Sequence, residues 1–420
     1  MSPTGNHKRS LKQILVGFIE RIRENPTIAA ITAEGFLTRL GFGMVGFAVP
    51  LFALKLGMSL SEVGVLYALQ SVTVLIVKPL MAWAADRFGS KPALVFAVTM
   101  RCLVGLLFVF VTLPWHLYTI RILQGIMTAA RDPSANALIA GHGNKKSMAT
   151  AFAWYLTARD VGHSLGAAVA GLLIAATDNY QLVFAIAFIT SCIAIITVLR
   201  YVNEVPGKSI EQANEEEAAA AALPPVPALS FREAYVPLLP YFGFGLMVAI
   251  TAQMMRGIFP IIAVQYGHLT VAEAGIAASA SSIAILGAGP AFAWLSDNIH
   301  RSVALIARSI ANGVSSLMYI YWPSFAGFVT GCILDDTGKA AFRPTWGAIL
   351  AELASAHPVR RARIITFLDM SSTMGEIIGP LLAGFIMSAF SIPLMLGLRV
   401  ALSIGTEVYA VELFRGKGRG

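Results

Sequence analysis

Charged side chains that interrupt long apolar runs are the residues of this sequence best suited to do chemistry. A charge in apolar surroundings is costly, so it persists where it meets a partner, a water-filled cavity or a bound ion. Eight acidic and nine basic side chains occupy such positions: Glu34, Asp132, Asp160, Asp335, Asp336, Asp369, Glu376 and Glu407, against Arg39, Arg101, Arg121, Arg131, Arg159, Arg256, Lys339, Arg343 and Arg399. Because the two signs nearly balance, many of these groups are expected to form salt bridges that fix the packing. The remainder are candidates for binding or for proton transfer.

Two of the acids, Asp335 and Asp336, are adjacent in the sequence. Both fall about a dozen residues into a predicted helix, near the midplane of a membrane, where two neighbouring carboxylates cannot both ionise cheaply. We therefore expect this pair, together with Glu34 and Asp132, to bind a cation or to carry a coupled proton. Lys339, one helical turn further on, could instead neutralise Asp335.

Metal binding and anion binding are two further possibilities. Asp160 and His163 are spaced i, i+3 on one predicted helix, which permits a metal pair, although a buried histidine that satisfies a neighbour is the simpler interpretation. The methionines and the cysteines Cys102, Cys192 and Cys332 are expected to serve packing. Five basic residues would allow an anionic substrate such as an organic acid or a metal chelate: Arg39, Arg121, Arg131, Arg256 and Arg343.

The elements that position these residues are apolar helices. Only 13% of the residues are charged and 56% are hydrophobic, and a bilayer needs about 20 apolar residues for each helix that crosses it. We therefore predict an all-α membrane protein. Apolar runs bounded by charge, proline or glycine predict twelve helices: residues 28–54, 63–84, 92–113, 116–140, 148–176, 182–201, 235–264, 272–294, 303–322, 325–352, 362–389 and 392–414.

The loops between these helices fall into two classes. Lysine and arginine concentrate in alternate loops and at both ends of the chain, which predicts that these loops and both termini are cytoplasmic, in a bacterial cytoplasmic (inner) membrane. The same distribution argues against binding to nucleic acid. The predicted organisation has five parts: a tail with an amphipathic interfacial helix at 1–27, a six-helix bundle at 28–201, a cytoplasmic linker at 202–234, a second six-helix bundle at 235–414 and a basic tail at 415–420.

The two bundles carry an internal repeat. Residues 79–86 (PLMAWAAD) recur at 290–297 (PAFAWLSD), and residues 133–140 align with 344–351 at the same offset of 211. The fifth and eleventh helices also carry glycines four residues apart, and small residues at this spacing allow helices in a membrane to approach closely. Two parallel halves of this kind are typical of transporters that rock around a site at the midplane. Three glycines of the fifth helix align with three of the eleventh: Gly162, Gly166 and Gly171 with Gly375, Gly379 and Gly384.

The loop after the second helix, residues 82–91 (AWAADRFGSK), resembles the signature of the major facilitator superfamily. Arg121-Ile-Leu-Gln124-Gly125 is similar to the motif of that superfamily's fourth helix, whose arginine the resemblance links to proton coupling. The resemblance implies a secondary transporter with twelve transmembrane helices in two pseudo-symmetric six-helix bundles. It assigns a gating role to five loop residues: Asp86, Arg87, Gly89, Lys91 and Asp297.

The resemblance also implies that helices 1, 4, 7 and 10 line a central cavity that carries the substrate and the proton. Asp335 aligns with Gln124 by the offset of 211, so the two halves contribute unlike groups at equivalent positions. The predicted pathway comprises twelve residues: Glu34, Arg39, Arg121, Gln124, Arg131, Asp132, Gln253, Arg256, Asp335, Asp336, Lys339 and Arg343.

Residues 25–58 and 128–162 more narrowly resemble the magnetosome-membrane permeases of magnetotactic bacteria. That resemblance implies iron or an iron chelate as the substrate and the magnetosome membrane as a location. The alternatives are an exporter of drugs or small organic metabolites and a transport-inactive membrane scaffold or receptor. The sequence has no phosphate-binding G-x-x-x-x-G-K-[ST] motif, so we do not expect the chain to be an ATP-driven pump by itself. We expect neither an enzyme nor a cofactor, and we expect a functional monomer in the lipid bilayer.

Overall fold

The protein, as a computed structural model, is described over residues 26–142, 148–203, 235–280, 301–355 and 361–415, which consist of helices and short loops. The predicted interfacial helix within 1–27, most of the linker, Asp297 and the basic tail lie outside these ranges. All six predicted helices of the first half are present, with ends within four residues of those predicted. They are α1 (Pro26–Lys55), α2 (Leu60–Phe88), α3 (Ser90–Val109), α4 (Pro114–His142), α5 (Met148–Thr177) and α6 (Tyr180–Tyr201).

The second half has the same helix order. Its first helix, α7, is in two pieces, Leu239–Gln253 and Phe259–Ile261, and the second piece continues as a π-helix over Ile262–Tyr266. The eighth predicted helix is described over Val271–Ala280, and the rest of that prediction lies outside the described residues. The helices of this half after α7 are α8 (Val271–Ala280), α9 (Arg301–Tyr321), α10 (Phe325–Ser355), α11 (Arg361–Ala389) and α12 (Ile392–Arg415).

The prediction of one continuous helix over residues 235–264 is wrong, because the chain turns at 254–258. Gly257 adopts φ +71°, a left-handed conformation that glycine accepts more readily than any other residue. A Cβ at this position would also lie only 2.0 Å from the ring of Tyr67 and would collide with it. Pro260 adds a second interruption, since it has no N–H to donate to the preceding turn. The break therefore follows from two residues that lie three positions apart.

The helices differ in hydropathy. Eight helices of the described residues are long and apolar enough to cross a membrane, and α4, α9 and α10 are not among them. Buried charges lie on these three helices, among them Arg131 of α4, Arg308 of α9 and Asp335 of α10. Apolar helices also carry them, as Glu34 of α1 and Arg399 of α12 show. Exposed leucine, isoleucine and phenylalanine side chains such as Ile76, Phe110 and Ile189 cover the outer surface. These helices therefore have apolar outer faces for lipid and enclose polar groups.

The glycines that align in the repeat make equivalent contacts within each half. Gly162 and Gly166 of α5 lie directly against the backbone of α1, at Phe36 and Leu40. Gly375 and Gly379 of α11 lie in the same way against α7, at residues 249–253. In each half a Cβ would collide with the neighbouring helix, so the small residues set the helix spacing.

The third glycine of each set joins the two halves. A Cβ on Gly171 of α5 would be 2.8 Å from the Cα of Gly275 on α8, and a Cβ on Gly384 of α11 would be 3.0 Å from the Cα of Gly64 on α2. Beside the first crossing, Ser279 Oγ donates to the Ser164 carbonyl at 2.8 Å. Both crossings lie at the end of the bundle that carries loops 56–59, 178–179, 267–270 and 390–391. We refer to this end as the closed end.

Candidate functional site

A cavity lies between the two halves, beyond the glycine crossings. It contains about 940 Å³, including space open to solvent. The N-terminal half contributes side chains of α1 to α4, and the C-terminal half contributes side chains of α7 and α11. The charged residues that line it are Arg39, Lys78, Arg101, Arg131, Asp132, Arg256, Asp369 and Glu376.

A buried ion pair joins α1 to α4 at the wall of the cavity. Arg131 donates to both carboxylate oxygens of Glu34, from Nη2 at 2.8 Å and from Nε at 3.1 Å. Thr38 Oγ1 also donates to Glu34 Oε1 at 2.7 Å. Both charged side chains are almost fully buried, and a bidentate pair of this geometry is among the stronger ion pairs. Glu34 and Arg131, both predicted pathway residues, therefore form one fixed unit.

Asp132 extends this unit toward the cavity. Its Oδ1 accepts from Arg131 Nη1 at 2.9 Å and from Arg159 Nη2 of α5 at 3.3 Å. Both arginines also donate to the hydroxyl of Tyr155. The Asp132 side chain is 38% exposed, whereas Glu34 is 0% exposed. Asp132 is thus the carboxylate of this group that water or a solute can reach.

Arg121 occupies a different environment on α4. Its guanidinium lies 4.1 Å from the centre of the Tyr67 ring, and its Nη1 donates to the amide oxygens of Gln70 and Gln124. Arg121 is 1% exposed, and among the described residues no carboxylate lies within 4.0 Å of it. The structure therefore places the predicted pair Arg121 and Gln124 together, with the neutral groups of Tyr67 and Gln70.

In the second half, Asp335 is enclosed by three cations. Its carboxylate lies 2.6 Å from Arg399 Nη2, 2.9 Å from Lys339 Nζ and 3.5 Å from Arg308 Nη1. Lys339 also pairs with Asp336. The neutralisation of Asp335 by Lys339, the alternative to proton carriage, is thus present as a contact, and α9 and α12 supply two further positive charges. The role of Asp335 and Asp336 in transport stays a prediction.

Arg399 is the residue that ties this half together. It is 0% exposed and donates to the Thr251 carbonyl of α7, to Asn312 Oδ1 and Ser316 Oγ of α9, and to Asp335 of α10. The sequence identified Arg399 only as one charge among many and did not single out Arg308. Arg308 lies on α9 and Arg399 on α12, and the resemblance does not assign either helix to the cavity.

The C-terminal wall of the cavity contains a second set of charges. Arg256, at the break in α7, lies 3.1 Å from Glu376 of α11, and Gln253 donates to the same carboxylate at 3.4 Å. Lys78 of α2 lies 3.9 Å from Asp369 of α11, an ion pair that crosses between the halves. The predicted residues Gln253 and Arg256 are therefore brought together, and sequence reasoning did not assign Lys78, Asp369 or Glu376 to the site.

The proposed metal pair lies on α5. His163 lies in the middle of this helix with an exposed side chain, and the centre of its ring is 6.0 Å from that of Phe42. The charged side chains that act most strongly on it are Arg39, Arg256, Asp336 and Lys339. Three of these four are positive, which opposes binding of a metal cation. The described residues contain no group of three or more His, Cys, Asp or Glu that could hold a metal ion.

The loop between α2 and α3 forms a tight turn. Gly89 has φ +97° and donates its N–H to the Ala85 carbonyl at 3.0 Å, which ends α2 and begins α3 at the next residue. The guanidinium of Arg87 lies 5.4 Å from the Trp83 ring, and Lys91 lies in the first turn of α3. The side chains of Asp86 and Arg343 are not among those described, so the gating role of Asp86 and the pathway role of Arg343 stay predictions.

Comparison with known sequences gives one family. The family model of the Major Facilitator Superfamily matches residues 34–255 and 241–414. Multidrug resistance protein 1 of Bacillus subtilis is 28% identical over 178 residues, 42% of this chain and 46% of that protein. The class H tetracycline resistance protein of Pasteurella multocida is 27% identical over 234 residues, 54% of this chain and 57% of that protein. The chain thus spans about half the length of the curated relatives it matches.

Solved structures show the same fold at low sequence identity. The nucleoside transporter NupG superposes with a TM-score of 0.75 at 13% identity, covering 92% of this chain and 100% of that one. A bacterial homologue of the lysosomal transporter Spinster, in an inward-facing and occupied conformation, gives 0.69 at 15% identity, covering 92% and 96%. With its family match over both halves, its all-helical fold and its central charged cavity, the chain belongs to the major facilitator superfamily.

Proposed function

We propose that this protein is a secondary transporter that moves a small organic solute by alternating access, coupled to a proton gradient. The observation that carries the proposal is a charged cavity lined by both halves and closed at one end by two equivalent glycine crossings. Rocking of the halves about the cavity would separate these crossings and bring the opposite ends together. The solute would then meet each side of the membrane in turn.

Asp132 is the carboxylate that we assign to the coupled proton. It is exposed to the cavity and connected through Arg131 to the buried Glu34, so a change of its charge alters a network that spans α1, α4 and α5. Asp335 is less suited to this role, because three cations hold it in its charged form. Access to the cavity and a smaller excess of neighbouring positive charge therefore favour Asp132 over Asp335.

Export of small organic compounds is the direction and substrate range that the relatives favour. Two of them are named as multidrug and tetracycline resistance proteins. Iron, which the narrower sequence resemblance implies, gains no support, because the described residues contain no group of three or more metal-ligating side chains and the cavity wall is rich in cations. We further propose an inner-membrane location with both termini cytoplasmic, which rests on the distribution of lysine and arginine among the loops.

Flux through purified protein in liposomes tests this proposal. With an imposed pH gradient, we expect gradient-dependent accumulation of at least one of tetracycline, benzenesulfonate and benzyltrimethylammonium. Asp132→Asn keeps the shape of the side chain and removes its charge, so it should lose accumulation while retaining exchange of solute down its own gradient. Asp178→Asn, at an exposed position outside the cavity, is the matched control and should behave as the unmodified protein.

Two results would contradict the proposal. Flux indistinguishable from protein-free liposomes for all three solutes would favour a membrane scaffold or receptor. Full accumulation by Asp132→Asn would leave transport intact and remove Asp132 from the coupling mechanism.

A further inference from the structure

The cavity wall and the residues directly behind it hold more positive than negative charge. Every carboxylate of this set lies within 4.0 Å of a basic group: Glu34 and Asp132 beside Arg131, Asp132 also beside Arg159, Asp369 beside Lys78, and Glu376 beside Arg256. Among the residues that the structure describes, Arg39 and Arg101 have no carboxylate within that distance. These two arginines account for the excess of positive charge.

Both arginines lie against one aromatic ring. The guanidinium carbons of Arg39 and Arg101 are 5.4 and 5.5 Å from the centre of the Phe42 ring. Arg101 donates from Nη1 to the Thr38 carbonyl at 3.0 Å, while its buried Nε has no hydrogen-bond partner among the described residues. Arg101 is 8% exposed and still lines the cavity. The site thus combines a reachable cation, a second cation with an unused donor, and an apolar surface.

We propose that the cavity binds a small organic anion, a carboxylate or sulfonate attached to an apolar group. This inference rests on the proposed transport function and names the chemical class of its substrate. The acid group would lie at Arg39, with Arg101 adding positive charge, and the apolar part would pack along Phe42. A guanidinium presents parallel N–H donors that match the two oxygens of such an acid. Arg256 and the hydroxyls of Ser372 and Thr373 line the opposite wall.

A cationic solute is poorly matched to the same site. It would meet two arginines that have no carboxylate within 4.0 Å in the described part of the chain, where every carboxylate of the wall already pairs with a cation. To bind, it would have to displace one of the ion pairs, at a cost that an anion does not incur. The site therefore discriminates by charge before it discriminates by shape.

Binding of two matched probes tests the inference. Benzenesulfonate and benzyltrimethylammonium share a phenyl ring and carry opposite charges, and titration calorimetry on the purified full chain gives the affinity for each. We expect the unmodified protein to bind benzenesulfonate at least tenfold more tightly. Arg39→Gln should weaken that affinity by about tenfold or more, as expected on losing hydrogen bonds to a charged group, and Arg39→Lys should recover part of it. Lys55→Gln removes one positive charge outside the cavity and should change nothing.

The outcomes separate this inference from the proposed function. Binding of benzyltrimethylammonium as tightly as benzenesulfonate, binding of neither probe, or full affinity in Arg39→Gln would overturn the anion site. Gradient-driven flux of benzyltrimethylammonium without binding of benzenesulfonate would do the same and leave the transport function standing. Binding of benzenesulfonate that depends on Arg39, without flux of any solute, would support the site and refute transport.

Discussion

Arg399 shows what a buried charge does for stability at the scale of one residue. It is fully enclosed and shares Asp335 with Lys339 and Arg308. Arg399→Ala would remove the shortest of these contacts and five further hydrogen bonds, leaving polar groups of α7, α9 and α10 unpaired. We expect a loss of roughly 3 kcal/mol or more in the free energy of unfolding, measured as a shift of the unfolding transition in detergent.

The matched comparison for Arg399 is Arg200→Ala, on the exposed end of α6. A surface change of this kind should alter the free energy of unfolding by about 0.5 kcal/mol or less. If Arg399→Ala were as stable as Arg200→Ala, the hydrogen bonds of Arg399 would be replaceable and its role in packing would be refuted.

Single residues also mark the limit of what the sequence could predict. Glu34, Arg131 and Asp132 could be identified because a charge inside an apolar run is costly wherever it points. Their pairing could not, since Glu34 and Arg131 are far apart in the chain and the pattern of each helix says little about its rotation. Arg308 was missed because it lies close to the start of its helix, where a charge is ordinarily solvated.

At the scale of the element, the break in α7 is the feature most open to test. Gly257 has φ +71° and lies against Tyr67, whose ring in turn packs on Arg121. Gly257→Ala would force both a strained backbone and a collision. We expect a loss of about 1–3 kcal/mol in the free energy of unfolding from the backbone strain alone, with a further loss from displacement of Tyr67.

Two variants separate these effects on α7. Adding Gly257→Ala to Tyr67→Ala keeps the strain without the collision, so relative to Tyr67→Ala alone it should lose only the part of the free energy of unfolding that the strain causes. Gly397→Ala, at a helical position with nothing within 4 Å of the added Cβ, should be neutral or slightly stabilising. Equal stability of Gly257→Ala and Gly397→Ala would show that the turn at 254–258 does not need glycine.

The sequence predicted helices far better than their interruptions. Apolar runs located α1 to α6 within a few residues, because a bilayer fixes the length and composition of each crossing. The sequence did not predict the break in α7 because residues 235–264 are predominantly apolar, with Gln253 and Arg256 the main exceptions, and hydropathy does not report backbone conformation. Gly257 and Pro260 were the available signals, and single glycines and prolines also occur inside continuous membrane helices such as α2 and α11.

At the scale of the whole molecule, the repeat was predictable and the conformation was not. Equal offsets between aligned segments indicate two related halves, and the equivalent glycine contacts of α5 and α11 agree with that prediction. Which end is closed depends on a free-energy difference of a few kcal/mol between two packings of the same helices. No local pattern of residues contains that difference.

The glycine crossings offer a way to change this balance. A Cβ placed on Gly64 would lie 2.5 Å from the carbonyl oxygen of Pro380. A larger side chain therefore cannot fit at this position while α2 and α11 are in contact. Gly64→Leu should therefore favour the conformation in which α2 and α11 separate at this end. Gly347→Leu, where a Cβ meets nothing within 4 Å, is the control and should leave the equilibrium unchanged.

Spin labels at positions 55 and 390, in a variant whose three native cysteines are serine, would report this change by pulsed electron paramagnetic resonance. Both positions are exposed at the closed end and belong to different halves. We expect Gly64→Leu to lengthen the distance between the labels and Gly347→Leu to keep it. Without any ligand, a steric clash that destabilises the closed conformation by a few kcal/mol is enough to make the open conformation the major one. A side chain that blocks a helix crossing is expected to cost at least this much. Unchanged distances in Gly64→Leu, with the protein still folded, would mean that the halves do not pivot at these glycines.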